Sequence, residues 1–234
     1  MSTELIVALD VPAAADAATA AAALPAEVSF CKIGLELFSA EGPAAVEAIR
    51  QRHKRVFLDL KLHDIPRTVA RAVEAAARHG IELLTVHASG GREMMQAARD
   101  AAGKFGPARP RLVAVTLLTS LDREDLAAIG VAREPPDHVL ALAELAMTSG
   151  MDGVVCSPRE VALLRRTLGT QPILVVPGIR PAAAERGDQK RTATPAEAAR
   201  DGATYIVVGR PILDAPDPAR AARQILDELK RHSA

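Results

Sequence analysis

Residues 57–66, Phe57-Leu58-Asp59-Leu60-Lys61-Leu62-His63-Asp64-Ile65-Pro66, join an apolar run to a short cluster of charges. The apolar part, which begins at Val56, is typical of a strand buried in a core, and Pro66 marks a break after it. Burying a charge in such a strand costs free energy, so a charged residue found there is expected to have a function. The stretch therefore predicts a buried strand with functional charges toward its carboxyl end.

The same pattern, a short apolar run followed by an Ala-rich amphipathic segment, recurs along the chain. The apolar runs predict strands at 4–9, 28–33, 55–60, 81–86, 111–116, 152–156, 172–176 and 204–208. The segments between them predict helices at 13–23, 43–53, 68–79, 92–102, 137–149, 158–168, 195–201 and 216–231. First-turn prolines and helix-ending glycines support these boundaries, namely Pro43, Pro158, Pro195, Pro218, Gly80, Gly150, Gly169 and Gly202.

Consecutive strand–helix units of this kind predict an α/β fold, a closed (β/α)8 TIM barrel that spans residues 1–234 as a single domain. The length of 234 residues would also allow two domains. A doubly wound open sheet is the structural alternative, but an unbroken series of such units favours closure.

Composition excludes several classes of partner. The 29 basic and 29 acidic residues cancel, and aromatic residues make up only 2%, so no nucleic-acid surface is predicted. The longest apolar runs are strand-sized, so no membrane association is predicted. No signal-peptide pattern is visible, and Cys31 and Cys156 both lie in apolar runs, where buried free thiols are expected. We therefore expect a cytoplasmic location.

Asp59 and Lys61 form the first candidate site. Side chains two residues apart in a strand share one face, with their Cβ atoms about 7 Å apart. At an effective dielectric of about 20, opposite charges at that spacing attract by on the order of 2 kcal/mol. The attraction favours the ammonium form of Lys61, which is therefore predicted to donate a proton. Asp64 is expected in the turn beyond the strand. The alternative is a plain salt bridge at the barrel rim.

Further polar residues follow the other predicted strands. The carboxyl ends of barrel strands meet at one face, where barrel active sites are built. These residues are therefore expected to converge, which argues against the plain salt bridge. They are Asp10, Lys32, His87, Thr116 to Thr119, Arg180, Gly209 and Arg210.

The last two strand–helix loops predict a phosphate site. Gly178-Ile179-Arg180-Pro181 and Gly209-Arg210-Pro211 are similar turns in the loops where barrels commonly bind phosphate. Residues 181–194 between them are polar and predict a lid in which Gln189 could reach a ligand.

Ser89-Gly90-Gly91 is interpreted as a plain turn. The histidines show no metal-ligand spacing, and His87 is expected to be a rim or core residue, so no metal is predicted.

Several segments occur in an order that is typical of one family. They are Ala8-Leu9-Asp10, Cys31-Lys32-Ile33-Gly34-Leu35-Glu36, Asp59-Leu60-Lys61-Leu62-His63-Asp64-Ile65-Pro66, Thr116-Leu117-Leu118-Thr119-Ser120, Gly153-Val154-Val155-Cys156-Ser157, Pro177-Gly178-Ile179-Arg180-Pro181, Gly187-Asp188-Gln189 and Val208-Gly209-Arg210-Pro211. With these segments the chain resembles the orotidine 5′-phosphate decarboxylase family, in its shorter bacterial form, along essentially its whole length.

The resemblance implies a homodimeric barrel that converts orotidine 5′-phosphate to UMP, the last step of pyrimidine nucleotide biosynthesis, with no metal or organic cofactor. It implies that Lys61 protonates C6 of the pyrimidine and that Asp59 lies against the substrate carboxylate. Lys32 would bridge this region to a ribose hydroxyl, and Asp10 would bind the ribose too. Asp64, Ile65 and Thr68 would enter from the neighbouring subunit, so the implied catalytic residues are Lys32, Asp59, Lys61 and Asp64. The other implied binding residues are Leu60, Leu62, His63, Pro66 and Arg67, with Thr119 at the base and Arg180, Gln189, Gly209 and Arg210 at the phosphate.

Two alternatives remain open at this point. Hexulose-phosphate synthase and ketogulonate-phosphate decarboxylase are barrel relatives that share D-x-K-x-x-D and resemble Mg²⁺-dependent enediolate enzymes. There an acid on the second strand helps to hold the metal, whereas this chain has Lys32, whose charge opposes Mg²⁺ binding. The other alternative is a catalytically silent nucleotide- or phosphate-binding barrel, which would keep Arg180 and Arg210 but could lose the charged residues.

Overall fold

A computed structural model describes residues 3–181 and 192–231. Within these ranges the parallel strands pair in sequence order, and the last also pairs with the first, so the sheet closes into a barrel. The (β/α)8 prediction is therefore confirmed, and the open sheet is excluded. The strands are β1 (Glu4–Ala8), β2 (Phe30–Ile33), β3 (Arg55–Leu62), β4 (Leu83–His87), β5 (Arg111–Val115), β6 (Gly153–Val155), β7 (Ile173–Val176) and β8 (Tyr205–Val208).

Helices follow the strands and cover the barrel. They are α1 (Ala14–Ala23), α2 (Leu35–Glu41), α3 (Pro43–Arg50), α4 (Pro66–Ala77), α5 (Gly91–Gly103), α6 (Arg123–Ala128), α7 (Pro135–Thr148), α8 (Val161–Leu168), α9 (Pro195–Arg200), α10 (Arg210–Leu213) and α11 (Pro218–Arg231). Pro43, Pro195 and Pro218 each open a helix, as the sequence predicts.

Three short helices, α2, α6 and α10, were not predicted, because four to seven residues present too little periodicity to detect. The sequence does contain a signal for α6. The Asp122 carboxylate accepts hydrogen bonds from the backbone N–H groups of Glu124 and Asp125, at 3.0 and 3.1 Å, and forms a capping box.

Some element bounds also differ from the prediction. β2 and β4 begin two residues later than expected, and β3 continues two residues further, to Leu62. Helix α4 begins at Pro66 rather than at residue 68, because the fixed φ of proline suits the first helical position. Pro66 therefore starts a helix as well as ending the turn after β3.

Two apolar layers hold the fold together. One lies between the strands and the helices, and the other fills the barrel with side chains from alternate strand positions, among them Ile6, Phe30, Phe57, Val113 and Val207. The barrel is thus a packed core rather than a channel, and a cleft can open only at an end. No helix in 3–181 or 192–231 is both long and apolar enough to cross a bilayer.

The amino-terminal end of the barrel is occupied by an ion cluster. Arg55 is paired with Glu4 and lies 3.1 Å from Glu82, and Arg111 contacts Glu82 at 2.5 Å and the Tyr205 hydroxyl at 2.8 Å. The guanidinium of Arg55 also covers the Phe30 ring at 4.4 Å. Because this network occupies one end, a substrate has access from the carboxyl ends of the strands.

Candidate active site

Four charged side chains of alternating sign form a row at the carboxyl ends of β1, β2 and β3, and we call it the charged row. Lys32 Nζ lies 2.9 Å from Asp10 Oδ1 and 3.8 Å from Asp59 Oδ2. Lys61 Nζ contacts the same Asp59 oxygen at 2.8 Å. The side chains of Lys32 and Asp59 are only 10% and 13% exposed, so their charges are weakly screened by water. The predicted convergence of these four residues is confirmed.

Lys61 departs from a regular strand conformation. Its φ is +50°, in the left-handed region, and the register between β3 and β4 shifts between Leu58 and Leu62. The simple two-residue spacing used for the prediction is therefore interrupted by a bulge, although Lys61 still faces Asp59. Bulges of this type redirect a side chain, and here the ammonium is brought into direct contact with the carboxylate.

The charged row lines a cleft of about 610 Å³. Its wall also includes Thr119 and the backbone and side chains of the last two loops, and its floor is apolar. The wall residues near the loops are Pro177, Gly178, Arg180, Gly209 and Arg210, and the apolar ones include Ala8, Phe57, Val115, Leu117, Val155, Val175 and Val207. A partly apolar ligand with an anionic group suits this distribution.

Arg180 and Arg210 form the cationic corner of the cleft. Both residues line the cleft. Burial lowers the pKa of Arg180 below its usual value, and the charge of Arg210 lowers it further. Gly178 has a φ of +77°, a conformation that favours glycine and turns the β7 loop toward this corner. A phosphate suits two forked donors that line one cleft.

Two residues important for the charged row were missed in the sequence. A Cβ at Gly34 would lie 2.8 Å from Lys32 Nζ and 3.1 Å from Asp10 Oδ1, so glycine leaves room for that ion pair. Thr85 Oγ1 lies 3.0 Å from Asp59 Oδ1. Thr85 lies two residues before His87 in β4, so the two side chains point to the same face of the strand. This spacing could have indicated the role of Thr85.

His63 and His87 form a stacked pair beside Lys61, with their ring centroids 5.4 Å apart. Burial lowers the pKa of His87 below its ordinary value near 6.5, and the charges of His63 and Lys61 lower it further, against a smaller opposite effect of Asp59. His87 is therefore neutral at pH 7 in the folded chain. It is a half-buried rim residue, as predicted.

This lowered pKa predicts a pH dependence of stability. A histidine whose pKa is depressed by folding contributes stability that is complete above about pH 6.5 and is lost as the pH falls below it. We expect the free energy of unfolding to fall between about pH 7 and pH 5 more steeply in the wild type than in His87→Gln. Urea titrations at the two pH values measure this difference. Equal slopes in the two proteins would exclude His87 as the group responsible.

A family model described as orotidine 5′-phosphate decarboxylase / HUMPS matches residues 3–225. The chain belongs to this family. A protein of Anaeromyxobacter sp. (strain K) named orotidine 5′-phosphate decarboxylase is 56% identical over 224 residues, which is 96% of this chain and 97% of the relative. One of the same name from Moorella thermoacetica (strain ATCC 39073 / JCM 9320) is 49% identical over 232 residues, covering 97% of this chain and 92% of the relative.

A solved structure of orotidine 5′-phosphate decarboxylase from Lactobacillus acidophilus has the same fold. Its TM-score to this chain is 0.86 at 39% identity, and the match covers 97% of this chain and 99% of that one. The resemblance inferred from the motifs is therefore confirmed at the level of the family.

The family description also names HUMPS, and the alternative considered above is a Mg²⁺-dependent enzyme. The side chains of the charged row must therefore be compared with the oxygen ligands that Mg²⁺ needs. Lys32 Nζ lies between the carboxylates of Asp10 and Asp59, and its charge there opposes the binding of an oxygen-coordinated cation. An ammonium in this place supplies the positive charge itself. Within the described ranges no group of three or more His, Cys, Asp or Glu side chains is arranged to hold a metal ion.

Other predicted site residues lie outside the cleft of a single chain. Leu60 and Leu62 pack against the layer between strands and helices, and Pro66 begins α4. The exposed residues beyond β3 are His63, Asp64, Ile65, Arg67 and Thr68. Contact of any of these with a substrate stays a prediction. Gln189 lies outside the described residues, as does most of the predicted 181–194 lid.

The two cysteines are buried free thiols, as predicted. Burial raises the pKa of Cys31 to about 12, so its thiol stays protonated and unreactive. Cys156, in contrast, contributes to the wall of the cleft. The Ser89-Gly90-Gly91 segment forms a short 3₁₀ turn leading into α5, in agreement with its interpretation as a plain turn.

Proposed function

We propose that this chain decarboxylates orotidine 5′-phosphate to UMP, the last step of pyrimidine nucleotide biosynthesis, without a metal or organic cofactor. The observation that carries the proposal is the charged row Asp10–Lys32–Asp59–Lys61, which shares one cleft with Arg180 and Arg210. The names of relatives at 49 to 56% identity support the choice of substrate.

The chemical step needs a cation at the carbon that loses the carboxylate. The bond between C6 and the carboxyl carbon breaks, its electron pair stays on C6, and carbon dioxide leaves. Lys61 would stabilise the developing carbanion by its charge and then transfer a proton from Nζ to C6. Its contact with Asp59 holds the ammonium in place before the substrate binds, so little reorganisation is needed in the transition state.

The remaining residues would bind the parts of the substrate that do not react. Arg180 and Arg210 would hold the phosphate together with Gly209, and Gln189 would join them from the 181–194 segment. Asp10 and Lys32 would bind ribose hydroxyls, and Thr119 would contact the base. Binding energy from the phosphate could then be used at the distant reacting carbon.

We further propose that the active enzyme is a homodimer in which Asp64, Ile65 and Thr68 complete the site of the neighbouring subunit. Ile65 is 67% exposed, and an apolar partner surface would cover it. Asp64 accepts a 2.7 Å hydrogen bond from the Ile65 backbone, which orders this turn. A cytoplasmic location also stays a prediction.

The test is a spectroscopic assay with purified protein, orotidine 5′-phosphate and an excess of EDTA. We expect the ultraviolet absorbance of the substrate to fall as UMP forms, at the same rate with and without the chelator. Activity that EDTA abolishes and Mg²⁺ restores would favour the enediolate alternative. Binding of UMP without any turnover would indicate a silent nucleotide-binding barrel.

A further inference from the structure

We infer that Thr85 is a positioning residue for the charged row, an inference that rests on the proposed decarboxylation. Thr85 lies in the middle of β4, inside the barrel, and is fully buried. It is not among the residues that line the cleft, so we expect it to act through its neighbours rather than on a substrate. It acts instead on Asp59 and Lys61, the two residues at the centre of the proposed chemistry.

The Thr85 hydroxyl binds the backbone of Lys61 at the bulge. Between Leu58 and Leu62 the regular pairing of β3 with β4 is interrupted. Thr85 Oγ1 accepts a 2.8 Å hydrogen bond from the Lys61 N–H. The left-handed φ of Lys61 is unfavourable for a residue with a side chain and persists only where neighbouring groups hold it. Thr85 is such a group.

The same hydroxyl sets the orientation of the Asp59 carboxylate. A backbone N–H only donates and an ionised carboxylate only accepts, so the Thr85 proton is directed to Asp59 Oδ1, 3.0 Å away. The second oxygen, Oδ2, is then turned toward both ammonium groups. One buried hydroxyl thus couples the backbone of the proton donor to the side chain of its counter-ion.

The test compares Thr85→Val, which keeps the shape and removes the hydroxyl, with Thr85→Ser, which keeps the hydroxyl. The control is Thr3→Val, because Thr3 also donates a buried hydrogen bond, to the Ala203 carbonyl at 2.7 Å, but at the amino-terminal end of the barrel. We expect Thr85→Val to lower kcat about 10- to 100-fold, the effect of losing a hydrogen bond to a charged group. Its KM and its affinity for UMP should stay within about twofold of wild type.

Thr85→Ser should recover most of the lost kcat, and Thr3→Val should behave like the wild type. If Thr85→Val does not fold, Thr85→Ala takes its place in the comparison with Thr85→Ser. Equal kcat in wild type and the hydroxyl-free variant, equal losses in the valine and serine variants, or a parallel loss of UMP binding would each overturn the inference. A wild-type chain that does not decarboxylate the substrate would instead overturn the proposed function, and the inference with it.

Discussion

Replacement of Lys61 by alanine is expected to reduce kcat for decarboxylation about 10⁴-fold and to leave UMP binding within a few-fold of wild type. On the proposed mechanism the variant would lose both the cation beside C6 and the proton donor, whereas Arg180 and Arg210 would still bind the phosphate. Asp59 keeps Lys32 Nζ at 3.8 Å, so its charge is not left without a partner and the barrel should fold. Steady-state kinetics and calorimetric titration with UMP measure the two effects.

A matched control for this variant is Lys104→Ala. The ammonium of Lys104 pairs with Glu74 on the outer face of the barrel and is 65% exposed, so the same change removes an ion pair far from the cleft. We expect its kinetics to equal those of the wild type. Near-normal turnover by Lys61→Ala would refute Lys61 as the proton donor.

Mixing two inactive variants, Lys61→Ala and Asp64→Ala, is expected to restore activity if each site uses Lys61 of one subunit and Asp64 of the other. Random exchange makes about half of the dimers mixed, and one site in each mixed dimer has both residues intact, so about a quarter of wild-type activity should appear. The exposed position of Asp64, outside the cleft of its own chain, is what motivates the experiment.

The control is a mixture of Lys61→Ala with Lys32→Ala. These two lysines contact the same Asp59 within one chain, so every site in the mixed dimer is damaged and no activity should return. Recovery in both mixtures would point to refolding or contamination. Failure of the Asp64 mixture, with subunit exchange verified by mass spectrometry, would remove the shared site from the proposal.

Local patterns in the chain are informative about the barrel because each strand–helix unit carries its own signals. Apolar runs of strand length, prolines at helix starts and glycines at helix ends predicted the closed sheet without any long-range information. The short helices α2, α6 and α10 were missed because their formation depends on packing against the barrel more than on periodicity. The extension of β3 to Leu62 was not predicted because a bulge has no regular sequence pattern.

The candidate site, like the fold, was predicted from the sequence only in part. The sequence by itself determined which charges are available and that Asp59, Lys61 and the two glycine–arginine turns lie at strand ends, since these features depend on neighbours in the chain. Only the tertiary structure decided that Lys32 lies between two carboxylates and that Thr85, 24 residues beyond Lys61, donates to Asp59 and holds the Lys61 backbone. The reason is physical: hydrogen bonds and ion pairs act over about 3 Å, and that proximity arises only when barrel closure brings separate strands into register.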